Sequence, residues 1–291
     1  MTGTRPGGIL SVDVEDYFQV EAFSDLVHRD EWPNFPCRVE ANTLRVLDLL
    51  DECGVKATFF TLGWIAARYP AMVREIAARG HELAVHSYWH RLVYKLSPEE
   101  FHEDTRLAKD AVEQASGRAV SGYRAPSYSI TSKSLWALEI LVECGFRYDS
   151  SIFAVRHDVY GIPDAPRTPF RVSTPSGTLM EFPITTFRLG YGPNWPVAGG
   201  GYLRIFPFLY TRLGVGRAVR EGVPVITYFH PWELDPEQPR MAGRAFSRFR
   251  HYTNLTRTAD RIRRLCGLVG FEPFEAVLRN PASSEVPEWR P

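Results

Sequence analysis

The sequence predicts an α/β protein built on a mostly parallel sheet, and three observations carry that prediction. Apolar runs of strand length alternate with amphipathic runs of helix length. The helical runs carry recognisable start and stop residues. Several apolar runs end in charged or imidazole side chains. Repeated β–α units of this size form either a barrel or an open doubly wound sheet, and in both the chemistry gathers at the carboxyl ends of strands.

In chain order, "GGILSVDV" reads as a strand and "ANTLRVLDLLDECG" as a helix stopped by Gly54. "KATFFTLG" is a strand rich in β-formers, followed by a helix over "WIAARYPAMVREIAARG". "HELAVHS" is a strand. "SPEEFHEDTRLAKDAVEQASG" opens on Ser97, then Pro and Glu, a strong helix start. "SKSLWALEILVECG" is a helix, "FRYDSS" a short strand, "VPVITYFHP" a buried strand and "TADRIRRLCGLVG" the final helix. The stretch at about 155–202, rich in Pro, Gly and aromatics, breaks this rhythm and reads as an insertion of hairpins and loops near a site. No boundary divides the chain, so the expectation is one domain over 1–291, with a C-terminal extension from about 236 to 291.

Lys+Arg and Asp+Glu both number 34 in 291 residues, a balance that gives no support to nucleic-acid binding. The basic run "RFRHYTNLTRTADRIRR" reads as a solvated helix face. No stretch has the apolar length of a membrane span, and the N-terminus lacks the apolar core of a secretory signal. Cys37, Cys53, Cys144 and Cys266 are far apart, which argues against a disulfide scaffold or cysteine zinc site and fits a reducing cytoplasm.

Four constellations stand where strands should end. "SVDVEDYF" places Asp13, Glu15 and Asp16 together, carboxylates that repel one another unless a cation or Arg compensates. "AVHSYWH" spaces His86 and His90 so that, on a helical turn, both reach one metal; Ser87 stands where a zincin needs Glu, so that protease reading fails. Such a spacing arises by chance about 0.2 times in a chain with this histidine content, so the pair alone is weak. "GYRAPSYS" supplies Arg124, suited to pairing with a buried carboxylate. "VITYFHPWELD" ends in His230, a group able to act as an acid near neutral pH. Two His and one carboxylate make a mononuclear set with open positions, as in zinc hydrolysis and also non-haem iron chemistry. The spare carboxylate and spare His supply a base and an acid, favouring metal-assisted hydrolysis.

In this order, the motifs "HSYWH", "YRAPSYS" and "YFHPWELD", with "GFRYDSSIF" as a groove segment, resemble those of the polysaccharide deacetylases that share the nodulation-deacetylase homology domain. The resemblance spans about residues 8–150 and 222–235. It implies a distorted, incomplete (β/α) barrel and hydrolysis of N-acetyl groups on a glycan, with one divalent metal ion, most simply zinc. "LSVDVEDYFQVEAF" and "FPITTFRLGYGPNWPVAGGGYLR" look like the deacetylases associated with bacterial exosortase and exopolysaccharide systems, and the missing secretion signal resembles the cytoplasmic branch. By resemblance, Asp13 is the base, aligned by Arg124; His230 is the acid; and a backbone N–H near Ser127 or Tyr128 binds the oxyanion. His86, His90 and one acid hold the metal. The family's first motif usually has two adjacent Asp, whereas here Val14 separates Asp13 from Glu15. Strand alternation favours Glu15 as third ligand, while a bend after Val14 hands the role to Asp16. Trp89, Tyr128, Trp195 and Trp232 are candidates for stacking on sugar rings. The rivals are a cyclic amide or ureide hydrolase, as in the allantoinase relatives, and a degenerate glycan-binding module.

Overall fold

The computed structural model describes residues 7–157, 159–197, 199–279 and 286–290. Its strands are β1 (Gly7–Val14), β2 (Thr58–Thr61), β3 (Glu82–Val85), β4 (Gly122–Tyr123), β5 (Tyr148–Asp149), β6 (Phe170–Thr174) and β7 (Gly177–Glu181), then β8 (Thr186–Arg188), β9 (Asn194–Pro196), β10 (Val225–Phe229), β11 (Gly270–Glu272) and β12 (Glu288–Trp289). The main sheet runs β10-β1-β2-β3-β4-β5-β7-β6-β12, parallel except for the β6–β7 hairpin, and β11 also pairs with β1. The expected α/β class and mostly parallel sheet are present. The ladder does not close. Beyond β7, Thr185 bridges the gap instead: its N–H donates to Ile226 O (3.2 Å), its hydroxyl donates to Pro224 O (2.7 Å), and that hydroxyl accepts from Ile226 N–H (2.6 Å).

Strand alternation explains the two apolar layers. Leu10, Val12 and Val14 of β1 join Phe59, Leu83, Val85 and Val225 in the large outer core. Ile9 faces the other way and packs with Phe60, Ala84, Tyr148 and Ile226 inside the barrel, where Phe274 fills the space. The same inward row continues through Ser11 to Asp13, so a buried polar column rises from an apolar floor.

The helices are α1 (Val39–Cys53), α2 (Gly63–Arg68), α3 (Pro70–Ala78), α4 (Pro98–Ser116), α5 (Ala137–Glu143), α6 (Gly200–Ile205), α7 (Phe208–Arg220), α8 (Ala245–Tyr252), α9 (Thr258–Leu268) and α10 (Phe274–Leu278). Gly54 ends α1 in the left-handed region, and Ser97 with Glu100 forms a capping box on α4. Three expectations need correction. The helix read over 64–80 is two helices, because Pro70 cannot donate its amide to the preceding turn and starts α3. The helix over 258–268 is not the last, since α10 follows it. The insertion at about 155–202 does hold two hairpins, but β7 pairs in parallel with β5 and so continues the main sheet.

Candidate metal centre and catalytic pocket

A cavity of about 490 Å³ opens at the carboxyl ends of β1, β3 and β10, and Asp13, Glu15, His86, His90, Ser127, Tyr128, His230 and Trp232 all line it. Glu15, His86 and His90 bring one ligand atom each within 4.8 Å of the others, and all three are buried. Glu15 Oε2 lies 2.7 Å from His90 Nε2 yet accepts no well-directed hydrogen bond. A buried carboxylate oxygen without a donor, facing imidazole nitrogens, fits a divalent cation.

The sequence holds this set by tying each member from behind. His86 follows β3, and its Nδ1–H donates to Arg124 O (2.8 Å), which fixes the tautomer that leaves Nε2 free. Burial, opposed by Asp13, lowers its pKa to about 4, so the ring is neutral, as a ligand must be. The chain does not turn helically after Val85. Ser87 and His90 both have left-handed backbones, at φ 64° and 51°. Tyr88 N–H donates to Asp104 (2.8 Å), His90 N–H to the Ser87 hydroxyl (3.0 Å), and Arg29 binds the Trp89 and His90 carbonyls. Gly63 admits this loop, since a Cβ there would meet the Tyr88 ring at 2.4 Å. Among the described residues, four of the five non-glycine residues with positive φ are Ser87, His90, Ser127 and Tyr128, so the backbone strain gathers at the pocket.

Glu15 and Asp16 part company after the strand. Burial by itself would raise the Glu15 carboxyl, but His90 and His230 outweigh it and hold the pKa at about 2. Trp232 donates its indole N–H to Glu15 Oε1 (3.2 Å). Asp16 is not brought to the cluster. Its Oδ2 accepts the amides of Arg38 (2.6 Å) and Val39 (2.9 Å) at the start of α1, and its Oδ1 accepts from Tyr17 N–H. A carboxylate spent on helix amides is a cap, not a ligand arm.

Arg124 is wholly buried and donates from Nη1 to Asp13 (2.7 Å) and Ser11 Oγ (2.6 Å), and from Nε and Nη2 to Ser150 (3.1 and 2.9 Å). The Phe60 ring lies 4.1 Å from its guanidinium carbon, with Tyr128 and Tyr228 further out. His230 donates its Nδ1–H to Glu233 Oε1 (2.7 Å), and its Nε2 is 3.4 Å from Glu15. Burial lowers the His230 pKa, but Glu15 and Glu233 together raise it to about 9. The far oxygen of Glu233 holds Arg204 Nε, and Arg204 also donates to the carbonyls of His251, Thr253 and Arg250.

Of the aromatic candidates, Tyr128 lines the cavity and Trp232 does so mainly as the partner of Glu15, stacked between His230 and His251. Trp89 packs on Trp32 and Tyr88 outside the cavity, and Trp195 sits on the β9 hairpin, away from it. Sequence reasoning missed Glu233, Arg204, Arg250, Tyr160 and Tyr202. The only local signal was Glu233 three residues after His230, the spacing of a cap box, which the structure shows.

Residues 30–148 match the polysaccharide deacetylase family, and residues 150–279 match a domain of unknown function, DUF3473. The first match contains His86, His90 and Arg124; the second contains His230. A chitooligosaccharide deacetylase of Bradyrhizobium sp. is 32% identical over 108 residues, which is 37% of this chain and 47% of that protein. A peptidoglycan-N-acetylglucosamine deacetylase of Bacillus cereus is 34% identical over 98 residues, 33% of this chain and 36% of that protein. The chain therefore spans under half the length of these curated relatives. Among solved structures, a candidate polysaccharide deacetylase from Mycobacterium smegmatis superposes with a TM-score of 0.65 at 20% identity, covering 99% of this chain and 95% of that one. A peptidoglycan deacetylase from Bacillus subtilis gives 0.50 at 16% identity, covering 95% and 91%. At these identities the structural likeness is one of fold.

Proposed function

We propose that the chain, whose residues 30–148 match the polysaccharide deacetylase family, is a metal-dependent N-deacetylase of that family acting on N-acetylated sugars of a bacterial polysaccharide or its precursor. The observation that carries the proposal is the convergence of Glu15, His86 and His90 beside the Asp13–Arg124 pair and His230, in one cavity.

Glu15, His86 and His90 would hold the ion, most simply zinc, with Asp16 left to cap α1. When bound, the ion lowers the pKa of water and polarises the acetyl carbonyl. Asp13, aligned by its ion pair with Arg124, accepts the proton of the attacking water. Tyr128 N–H is already bonded to Ala125 O (3.1 Å), so of the two candidate amides Ser127 N–H is the one available to the developing oxyanion. His230, oriented through Nδ1 by Glu233, protonates the departing sugar amine. Tyr128 and Trp232 contact the sugar.

We read the chain as one catalytic domain in exopolysaccharide synthesis, working in the cytoplasm. Cys37, Cys53 and Cys144 form no disulfide, which fits a reducing compartment; separately, no helix among the described residues is long and apolar enough to cross a membrane. The test is acetate release from an N-acetylglucosamine oligomer by the purified chain. Activity should vanish with a chelator and return with a divalent ion. Chelator-insensitive release contradicts the metal role, and release of product from a cyclic ureide but not the oligomer favours the allantoinase-like rival.

A further inference from the structure

The cavity extends well past the metal set, and its outer part is walled by Glu21, Asp25, Tyr160, Tyr202, Arg244 and Arg250. Almost every charged side chain in its wall has an opposite partner. Asp13 has Arg124, Glu15 has His90, and Arg204 has Glu233. Glu21 lies 3.4 Å from Lys95, and Asp25 lies 3.9 Å from Arg244. Arg250 is the exception: among the described residues no carboxylate lies within ion-pair distance of it.

Arg250 is half-buried, at the last turn of α8, and its backbone is fixed because its carbonyl accepts from Arg204 Nη2 (3.0 Å). Its guanidinium stands 5.7 Å from the Phe246 ring, another wall residue. The Tyr160 and Tyr202 hydroxyls are bonded to each other at 2.9 Å on the same wall. A guanidinium partly removed from water without a counter-ion is unfavourable, and its flat fork of donors suits a carboxylate or phosphate. About 490 Å³ exceeds what one sugar ring needs, so a second ring has room beside the reacting one.

We propose that Arg250 forms a subsite for an anionic substituent on a sugar adjoining the one that is deacetylated, so that the substrate is an acidic glycan. The inference rests on the deacetylase reading and names its substrate class. The anion is a uronate carboxylate or a phosphate ester.

The experiment uses the metal-loaded full chain and three oligomers of equal length: N-acetylglucosamine alone, N-acetylglucosamine alternating with glucuronate, and N-acetylglucosamine carrying 6-phosphate on alternate sugars. Acetate release is measured for wild type, Arg250→Gln and Arg250→Lys, and binding is measured by calorimetry. One acidic oligomer should show a KM about tenfold below that of the neutral one, a typical step for a charge-assisted contact. Arg250→Gln should erase that preference with kcat little changed, and Arg250→Lys should restore part of it. The oligomer that gains identifies the anion. Equal KM for all three, or equal loss on neutral and acidic oligomers in Arg250→Gln, overturns the subsite. Should no oligomer be hydrolysed while an acidic one binds in an Arg250-dependent way, the subsite stands and the deacetylase reading falls.

Discussion

Replacing Glu233 by Gln tests the proposed acid, His230, directly. The carboxylate is fully buried and serves donors at both oxygens, Arg204 Nε at one and His230 through Nδ1 and its backbone N–H at the other. An amide cannot do both. With its oxygen toward His230, its NH2 faces guanidinium N–H groups; turned round, it offers N–H to the imidazole N–H. Arg204 is left a buried cation with only main-chain carbonyls, where removing one partner of a buried pair costs about 3–5 kcal/mol. Its three remaining carbonyl contacts argue for the lower figure, roughly 3 kcal/mol, hence a Tm lower by roughly 6–12 °C. Below that transition, hydrolysis of an N-acetyl amide should fall by about 10²–10⁴, because the amine leaving group needs the misplaced acid. An activated ester such as 4-nitrophenyl acetate, whose leaving group needs no proton, should lose only a few-fold. Equal losses on amide and ester would refute the argument that Glu233 acts through His230, and an unchanged Tm would refute the buried pair.

Two further outcomes follow from neighbouring groups. By calorimetric metal titration, Glu15→Gln should weaken binding by more than the ~10–100-fold typical of an outer partner, whereas Asp16→Asn should leave it intact and lose about 1 kcal/mol of stability from the α1 cap; the reverse pattern makes Asp16 the ligand. Asp149 and Glu181 lie opposite each other on β5 and β7, wholly buried, and burial raises both carboxyls. Folded, they bind protons more tightly than unfolded, so their contribution is full below the ordinary carboxylate range and declines as pH rises. Asp149→Asn should therefore gain on wild type as pH rises from the ordinary carboxylate range to about 6, by at most about 1.4 kcal/mol per pH unit per proton, read as Tm against pH. A pH-independent difference rules this out.

Parallel strands covered on both faces read as apolar runs, so β1, β2, β3 and β10 were legible in the sequence. Helix α7 was not, because Gly214 and Gly216 interrupt its pattern. Gly214 is needed there: a Cβ would press on Val197 at 3.2 Å and Phe187 at 3.3 Å. The candidate metal-binding histidines His86 and His90 were visible as a spacing, although an irregular strained loop, not a helical turn, brings them together. Alternation along β1 favoured Glu15. What it could not show was the use of Asp16, since its partners Arg38 and Val39 lie more than twenty residues on. Arg204 and Glu233 were hidden for the same reason: they are 29 residues apart, and no local period joins them.

The carbonyl clamp on Arg204 bears on how the chain can be divided and recombined. A cut where the two family matches meet, between 148 and 150, leaves the proposed base Asp13 and the three candidate ligands on one fragment. The proposed acid His230, its partner Glu233 and Arg204 go with the other. The break also strips β1 of β10 along one edge and of β11 from its first three residues on the other. The first fragment would expose open ladder groups and the inward face of Ile9, an invitation to edge-to-edge association. Exchange of the later segment between relatives must therefore carry a fitting strand edge together with the proton donor, and recombination at that boundary trades structure and chemistry in a single piece.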